Sequence, residues 1–362
     1  MAVNNLILPE GQASSYHNLD EIATTTAQAW SKNGKFYDNI FKCIPLFWML
    51  HEKRDKKTWY GGNPMMVNLQ YGKNTTFGSI SKYDLIDMTP QDNQTAAYFF
   101  LRQYAGSIVL DGFDARANSN KYQIQDLLKT KISEAENTIK ENINIQLWAG
   151  TPGAKDIESL SNIIFRSPSS SDSAPGNISG DTYSWWRNQV KIDVDIDTWA
   201  KLKHWMRNTY NNCCKGAANA DKNKMTGSYP DLIMTNQETY EGYEAAIDSQ
   251  KQYMDPLAQK AASMGFETMK YKNSLMFWDE MCYDAYTGAV YGSRAKGSMY
   301  FINTAFLDYY VGADCNLKVG KFLPAYNQDA IAAKVLHDHC LVVTNRSKHG
   351  VLGYIDLTEL TS

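Results

Sequence analysis

The stretch KYQIQDLLKTKISEAENTIKENINIQLW, residues 121–148, sets the scale of the architecture. Its apolar residues fall at Ile124, Leu127, Leu128, Ile132, Ala135, Ile139, Ile143 and Leu147, at spacings of three, one, four, three, four, four and four. Those intervals trace one stripe along a helix of 3.6 residues per turn. Asn118 to Asn120 offer caps at its start and Gly150 a stop at its end. At 1.5 Å per residue the helix is about 40 Å long. Lys129, Glu136 and Lys140 lie on the opposite face. A long helix with a single apolar stripe is a beam for a sheet to lie on. Ile124, Leu127, Leu128, Ile132, Ile139 and Ile143 are the expected packing residues.

Upstream, residues 96–110 read as one strand, with Tyr98, Phe100 and Tyr104 on one side and Phe99 and Leu101 on the other, ending at Asp111-Gly112. Residues 57–95 contain Gly61, Gly62, Pro64, Gly72, Gly78 and Pro90. Gly72-Lys73-Asn74 reads as a turn between two strand-like arms. A long hairpin of this kind has little with which to form its own core and is marginal alone in water. It must lie on another surface, and its apolar residues Met65, Val67, Leu69, Tyr71, Phe77, Ile80, Leu85 and Ile86 are expected to contact a neighbouring subunit. The first 35 residues are polar and read as an extended arm with one short helix over 19–30, followed by a hydrophobic stretch over 36–50.

Downstream, SPSSSDSAPGNISGDT (167–182) reads as a polar surface loop. A helix is expected over 197–211, with Trp199, Leu202, Met206 and Tyr210 on one side. A strand at 231–234, helical segments to about 262, and strands at 266–278, 299–303 and 334–344 complete an α+β pattern.

The chain of 362 residues is long enough for about two domains. Hydrophobic residues make up 43% and charged residues 21%, which excludes wholesale disorder and a coiled coil. The charge, 36 minus 39, is −3, so no large basic surface is built to grip nucleic acid. The longest apolar run, 43–50, holds Pro45 and is far shorter than the roughly 20 residues a bilayer requires. No Lys or Arg precedes Lys32, so a secretory leader is not expected. The cysteines at 43, 213, 214, 282, 315 and 340 form no CxxC, which argues against a disulfide framework or zinc module.

Candidate chemistry is sparse. His337 and His339 share a strand face and are a metal-ligand pair without a third ligand. Cys213-Cys214 lacks redox spacing. Asp279, Glu280 and Asp284 do not converge as an acid–base pair, and a solvated surface is expected for them. Trp185 and Trp186 read as anchor aromatics in a core or interface. No phosphate-binding glycine loop or hydrolase motif occurs, and no catalytic residue, cofactor or metal is expected.

Several segments together resemble the major capsid proteins of tailed double-stranded DNA bacteriophages, of the Hong Kong 97 type fold. Gly61-Gly62, QYGKNTTFG (70–78) and YDLIDMTPQDNQTAAYFF (83–100) resemble the extended loop and its exit strand. RQYAGSIVLDGFDARANSNKYQIQDLLKTKISEAENTIKEN (102–142) resembles the strand and spine helix of the peripheral domain. GNISGDTYSWWRNQ (176–189) is similar to the family's "GGI…WRN" stretch, with Asn177 where a second glycine is usual. PDLIMTNQETYEGYE (230–244), GFETMKYKNSLMFWDE (265–280), MYFINT (299–304) and LVVTNRSKHGVL (341–352) resemble the axial domain and returning strand.

The resemblance, over about residues 35–355, implies an N-terminal arm (1–56), an extended loop (57–95), a peripheral domain (96–190) with spine helix 121–148, an axial domain (191–333) and a C-terminal strand region (334–362). It implies a structural shell subunit, not an enzyme, that self-assembles as pentamers and hexamers into the icosahedral head of a virion, built in the host cytoplasm. Implied partners are other copies of the chain, a portal, a separate scaffold, a decoration or cement protein, and packaged double-stranded DNA held without specific binding. No membrane is implied. Some members form Lys–Asn cross-links; Lys73 and Lys82 lie on the loop, but no acid is placed for that chemistry. An encapsulin-like nanocompartment shell is the alternative within the fold. A carbohydrate-active enzyme using Trp and Tyr platforms is the alternative outside it.

Overall fold

The computed structural model describes residues 44–50, 57–113, 121–192, 195–214, 229–247, 269–285, 297–313, 315–324 and 328–356. The expected arm and its short helix, and the caps at 118–120, lie outside them. In chain order the elements are α1 (Pro45–Trp48), β1 (Lys57–Trp59), β2 (Met65–Gln70), β3 (Gln94–Phe99), β4 (Arg102–Asp111) and α2 (Lys121–Trp148). Then follow α3 (Leu160–Ile163), β5 (Gln189–Lys191), α4 (Trp199–Asn212), β6 (Leu232–Thr235), α5 (Gln237–Ile247), β7 (Met269–Tyr271) and β8 (Ser274–Trp278). The chain continues with β9 (Gly297–Ile302), β10 (Leu307–Gly312), β11 (Lys318–Val319), β12 (Leu323–Pro324), β13 (Ala330–Val343) and β14 (Gly350–Ile355). Among the described residues, no helix is long and apolar enough to cross a membrane.

The chain divides into two compact units. One comprises Ala105–Ile139 and Leu317–Leu336. Here β4 turns Ile108 and Leu110 inward and Val109 outward, the period-two pattern of a half-buried strand. It pairs with β13, and the Gly112 amide donates to the Asp329 carbonyl at 2.7 Å. β11 and β12 run antiparallel to the first half of β13. Helix α2 crosses β4 closely at Gly106, where an added Cβ would sit 3.8 Å from Ile139 Cδ1. Ile139 is buried and Ile132 is half-buried. The side chains of Ile124, Leu127 and Leu128 lie outside the described residues.

The larger unit holds Lys42–Tyr104, Lys140–Asn316 and His337–Ser362. Its main sheet has the order β5-β14-β9-β6-β8-β7. β6, β9 and the first four residues of β8 are wholly buried, as expected when both faces are covered. On one face α4 and α5 pack Leu202, Met206, Tyr210, Tyr240 and Tyr243 against Ile233, Met276, Met299, Phe301 and Leu352. Trp148, at the end of α2, meets Tyr300 edge-on at 5.2 Å. In the same unit β1 pairs in parallel with β10, and β10 runs antiparallel to the second half of β13. Leu46, Phe47, Met49 and Leu50 of the hydrophobic stretch are buried, with the Phe47 ring edge-on to Tyr309.

Several expectations change. The single strand over 96–110 is two strands, β3 and β4, broken at residues 100–101. The Asn63 side chain bonds both the Leu101 amide (3.3 Å) and its carbonyl (3.4 Å) there, substituting for a ladder partner. Gly72-Lys73-Asn74 does not turn the hairpin. β2 pairs with β3, Met65 opposite Phe99 and Gln70 opposite Gln94, and a loop over 71–93 joins them. β1 belongs to a different sheet from the hairpin. The strand expected over 266–278 is a hairpin of β7 and β8, turned at Lys272 with φ 51°. The polar segment 167–182 contains a short helical turn, Pro175–Asn177, with Ser173, Pro175 and Gly176 buried.

Candidate assembly surface

The surface begins at the base of the β2–β3 hairpin. On its inward face Leu69, Ala97 and Phe99 are buried, with Met65, Val67 and Thr95 half-buried beside them. Ala97 and Phe99, on β3, rest on the turn Pro175–Asn177. Gly176 adopts φ +69°, and a Cβ there would come within 2.8 Å of Ala97 and 3.0 Å of the Phe99 ring, so only glycine fits this approach. The Tyr71 ring stacks on Trp185 at 5.4 Å and 18°. Trp185 meets Trp186 edge-on, and the buried Trp186 indole donates to the Pro175 carbonyl at 3.0 Å. Trp185 and Trp186 thus clamp the hairpin root to its own subunit.

Beneath that clamp lies an uncommon buried cation. Arg346 donates to the carbonyls of Ile163 (2.6 Å) and Asn162 (3.2 Å) and to Ser173 Oγ (2.6 Å). Burial pushes its pKa down to about 10, partly offset by Glu158, whose carboxyl is raised by its own desolvation. Arg346 therefore ties segment 162–173 to the turn Arg346–Lys348. Nothing in sequence spacing marks Arg346 for this role.

Beyond the root the loop changes character. Phe77, Tyr83 and Leu85 are 84%, 91% and 97% exposed, and Ile80, Ile86 and Met88 are exposed as well. The loop is shaped by local bonds: the Tyr71 amide donates to the Asn93 carbonyl, Thr75 Oγ1 to Gln91 Oε1, and the Ser81 amide to Asp84 Oδ2. Six large apolar side chains on one segment face water, and apolar surface exposed in this concentration is the kind that marks an interaction surface.

The eight residues expected at a subunit contact therefore divide. Phe77, Ile80, Leu85 and Ile86 are presented outward. Leu69 is buried within the subunit, Met65 and Val67 are half-buried on its face, and Tyr71 is exposed but stacked on Trp185. Tyr83 and Met88 join the outward set and were not anticipated, although their apolar type in a Gly- and Pro-punctuated segment was the available signal.

The remaining candidates take structural places. His337 and His339 do share a face, with ring centroids 4.8 Å apart, but both are buried, and His337 Nε2 pairs with the Tyr309 hydroxyl at 3.0 Å. Among the described residues no group of three or more His, Cys, Asp or Glu side chains is arranged to hold a metal ion. Asp279 and Asp284 are not solvated. Asp279 is fully buried and accepts from Asn144 Nδ2 (3.2 Å), Trp148 Nε1 (3.1 Å) and the Met281 amide (2.9 Å). Asp284 accepts from Ser298 Oγ. Cys213 is buried at the end of α4, its thiol pushed well up by desolvation, and Cys214 bonds the Tyr210 carbonyl.

No protein-family profile and no curated protein matches the sequence. Solved structures do. The capsid asymmetric unit of cyanophage A-1(L) aligns with a TM-score of 0.58 at 14% identity, over 88% of this chain and 95% of that one. A chain of the native GTA particle capsid aligns at 0.56 and 10% identity, over 89% and 94%. A chain from the capsid of Myoviridae phage XM1 aligns at 0.53 and 9%, over 88% and 94%. With nearly the whole length matched on both sides and little shared sequence, the fold of this chain is that of these capsid proteins.

Proposed function

We propose that the chain is the major capsid protein of a tailed bacteriophage, self-assembling as pentamers and hexamers into the icosahedral head around the double-stranded DNA genome. The observation that carries this is the loop over 71–93, packed on the subunit at its root yet presenting Phe77, Ile80, Tyr83, Leu85, Ile86 and Met88 to solvent. Fully burying one such side chain is worth about 1.5–3 kcal/mol before the entropy of association is charged against it. A closed shell repeats the contact in every subunit. In this reading the loop is the extended loop of a Hong Kong 97 type subunit, α2 is its spine, residues 191–333 form the axial domain, and the protein resides in the virion. A portal, a separate scaffold and a decoration protein are its expected partners, and DNA is enclosed without a specific site. The role is structural and calls on no catalytic group.

The test replaces residues 73–91 by a short Gly-Ser linker, which keeps β2, β3 and the Tyr71–Asn93 closure. The expected outcome is an unchanged circular dichroism spectrum and melting temperature with loss of megadalton particles in negative-stain microscopy. Intact shells from this variant would overturn the reading of the loop, and a wild-type chain that forms no particles would overturn the capsid reading itself.

A further inference from the structure

Helices α4 and α5 lie on the same face of the main sheet, and their exposed sides carry opposite charge. The exposed side of α4 holds Lys201, Lys203, His204 and Arg207, and no carboxylate occurs anywhere in its sequence WAKLKHWMRNTYNN. Lys191, on β5, extends the basic zone, its Nζ 4.6 Å from the Trp205 ring, while Lys203 sits 5.2 Å over Trp199. α5 presents Glu238 and Glu241 with Glu244 half-exposed, and its sequence QETYEGYEAAI contains no Lys or Arg. α4 packs over β5 and β14 at one margin of the sheet; α5 packs over β8 and β9. Between them the contact is aromatic, Trp199 to Tyr243 at 5.5 Å. Lys201 is held by Asp197 at 2.5 Å. Among the described residues, Lys203, Arg207, Glu238 and Glu241 enter no ion pair within the subunit.

We propose that the basic side of α4 on one copy docks against the acidic side of α5 on the next copy, head to tail around the ring. The inference rests on the shell-subunit reading. A ring of identical subunits needs a heterologous interface in which two different patches meet. A subunit that carries one positive and one negative patch supplies both halves itself. Charge complementarity of this kind steers encounter, fixes register and rejects the reversed pairing, in which like charges face each other. A nucleic acid is the poorer occupant of α4, because the chain as a whole carries a net charge of −3.

Charge reversal tests this with full-length protein. K203E/R207E makes both helices acidic, and E238K/E241K makes both basic. At low salt each variant is expected to need about tenfold more protein for half-maximal particle formation, with an unchanged circular dichroism spectrum and a melting temperature lowered only slightly in K203E/R207E, where the Lys203–Trp199 contact is lost. The quadruple variant restores opposite charges with their places exchanged and is expected to assemble like the wild type. The defect of the double variants should shrink as salt screens the repulsion. Double variants that assemble as well as wild type, or a folded quadruple variant that stays defective, would overturn the proposal. So would normal assembly of K203E/R207E combined with lost affinity for a duplex DNA probe, which would assign α4 to nucleic acid. Wild-type protein that forms no particles sinks the shell reading and this inference together; particles indifferent to charge reversal sink this inference alone.

Discussion

Arg346 shows how one side chain can hold segments far apart in sequence. Its donors meet acceptors on the buried residues Ile163, Asn162 and Ser173. Arg346→Ala would leave the Ile163 carbonyl without this donor and the half-buried Glu158 without its nearby cation, while Ser173 Oγ would still donate to the Asn162 carbonyl; the expected loss of stability is about 3–5 kcal/mol, read from the urea midpoint. The buried histidines act through pH instead. Burial lowers His339 to about 4 and His349 to about 3, from an ordinary value of 6.5. Both stay neutral in the folded chain over a range where the unfolded chain takes up protons. Their contribution to stability is therefore present above about pH 6.5 and is lost as the pH falls toward 4 and then 3. The expected result is a lower urea midpoint at pH 4.5 than at pH 7, with a smaller difference in His339→Leu. A midpoint indifferent to that pH change would contradict the burial of both rings.

Among the elements, α2 departs from a uniform beam. Its stripe is legible in the spacing of apolar residues, but burial is graded along it: Ile132 is half-buried, whereas Ile143 and Leu147 are fully enclosed. Ile143→Asp places a carboxylate where it can be neither solvated nor paired, at a cost of several kcal/mol against a total stability of about 5–15 kcal/mol, and should leave little soluble protein. Ile132→Asp can turn its carboxylate toward water and should lower the melting temperature only modestly. Equal loss of soluble yield in the two variants would contradict the gradient. The hairpin follows a similar logic: its root is packed by glycine, tryptophan and tyrosine, while its loop is held only by local hydrogen bonds.

At the scale of the whole molecule, the five described cysteines, Cys213, Cys214, Cys282, Cys315 and Cys340, are engaged in no disulfide. Strong reductant should therefore leave both the melting temperature and the particle size unchanged; particles that dissociate in dithiothreitol would reveal a covalent link between subunits. Assembly should depend instead on the loop over 71–93 and on the opposed charges of α4 and α5. The first dependence is apolar and weakly sensitive to salt, and the second is screened by it.

Local pattern by itself determined the bounds of α2, the apolar side of α4 and the Gly- and Pro-punctuated stretch that holds the irregular loop over 71–93. These rest on contacts between residues three or four apart, or on composition, and both are written in the order of the chain. The charge contrast of α4 and α5 was equally open to view, as a run without acids followed by one without bases. Tertiary structure decided the rest. β1 pairs with β10 some 250 residues away, and Asn63 bonds the backbone at a strand break 38 residues downstream. Asp279 reads as a surface acid until Asn144 and Trp148 are brought to it. Leu69 and Leu85 are alike in type, yet one is buried and the other is exposed, because Leu69 lies on the paired strands, whose Ala97 and Phe99 pack on Gly176, and Leu85 lies on the loop beyond them. Residue type specifies what a side chain can do, but burial and polar partnership depend on which distant backbone arrives beside it, and no local spacing records that.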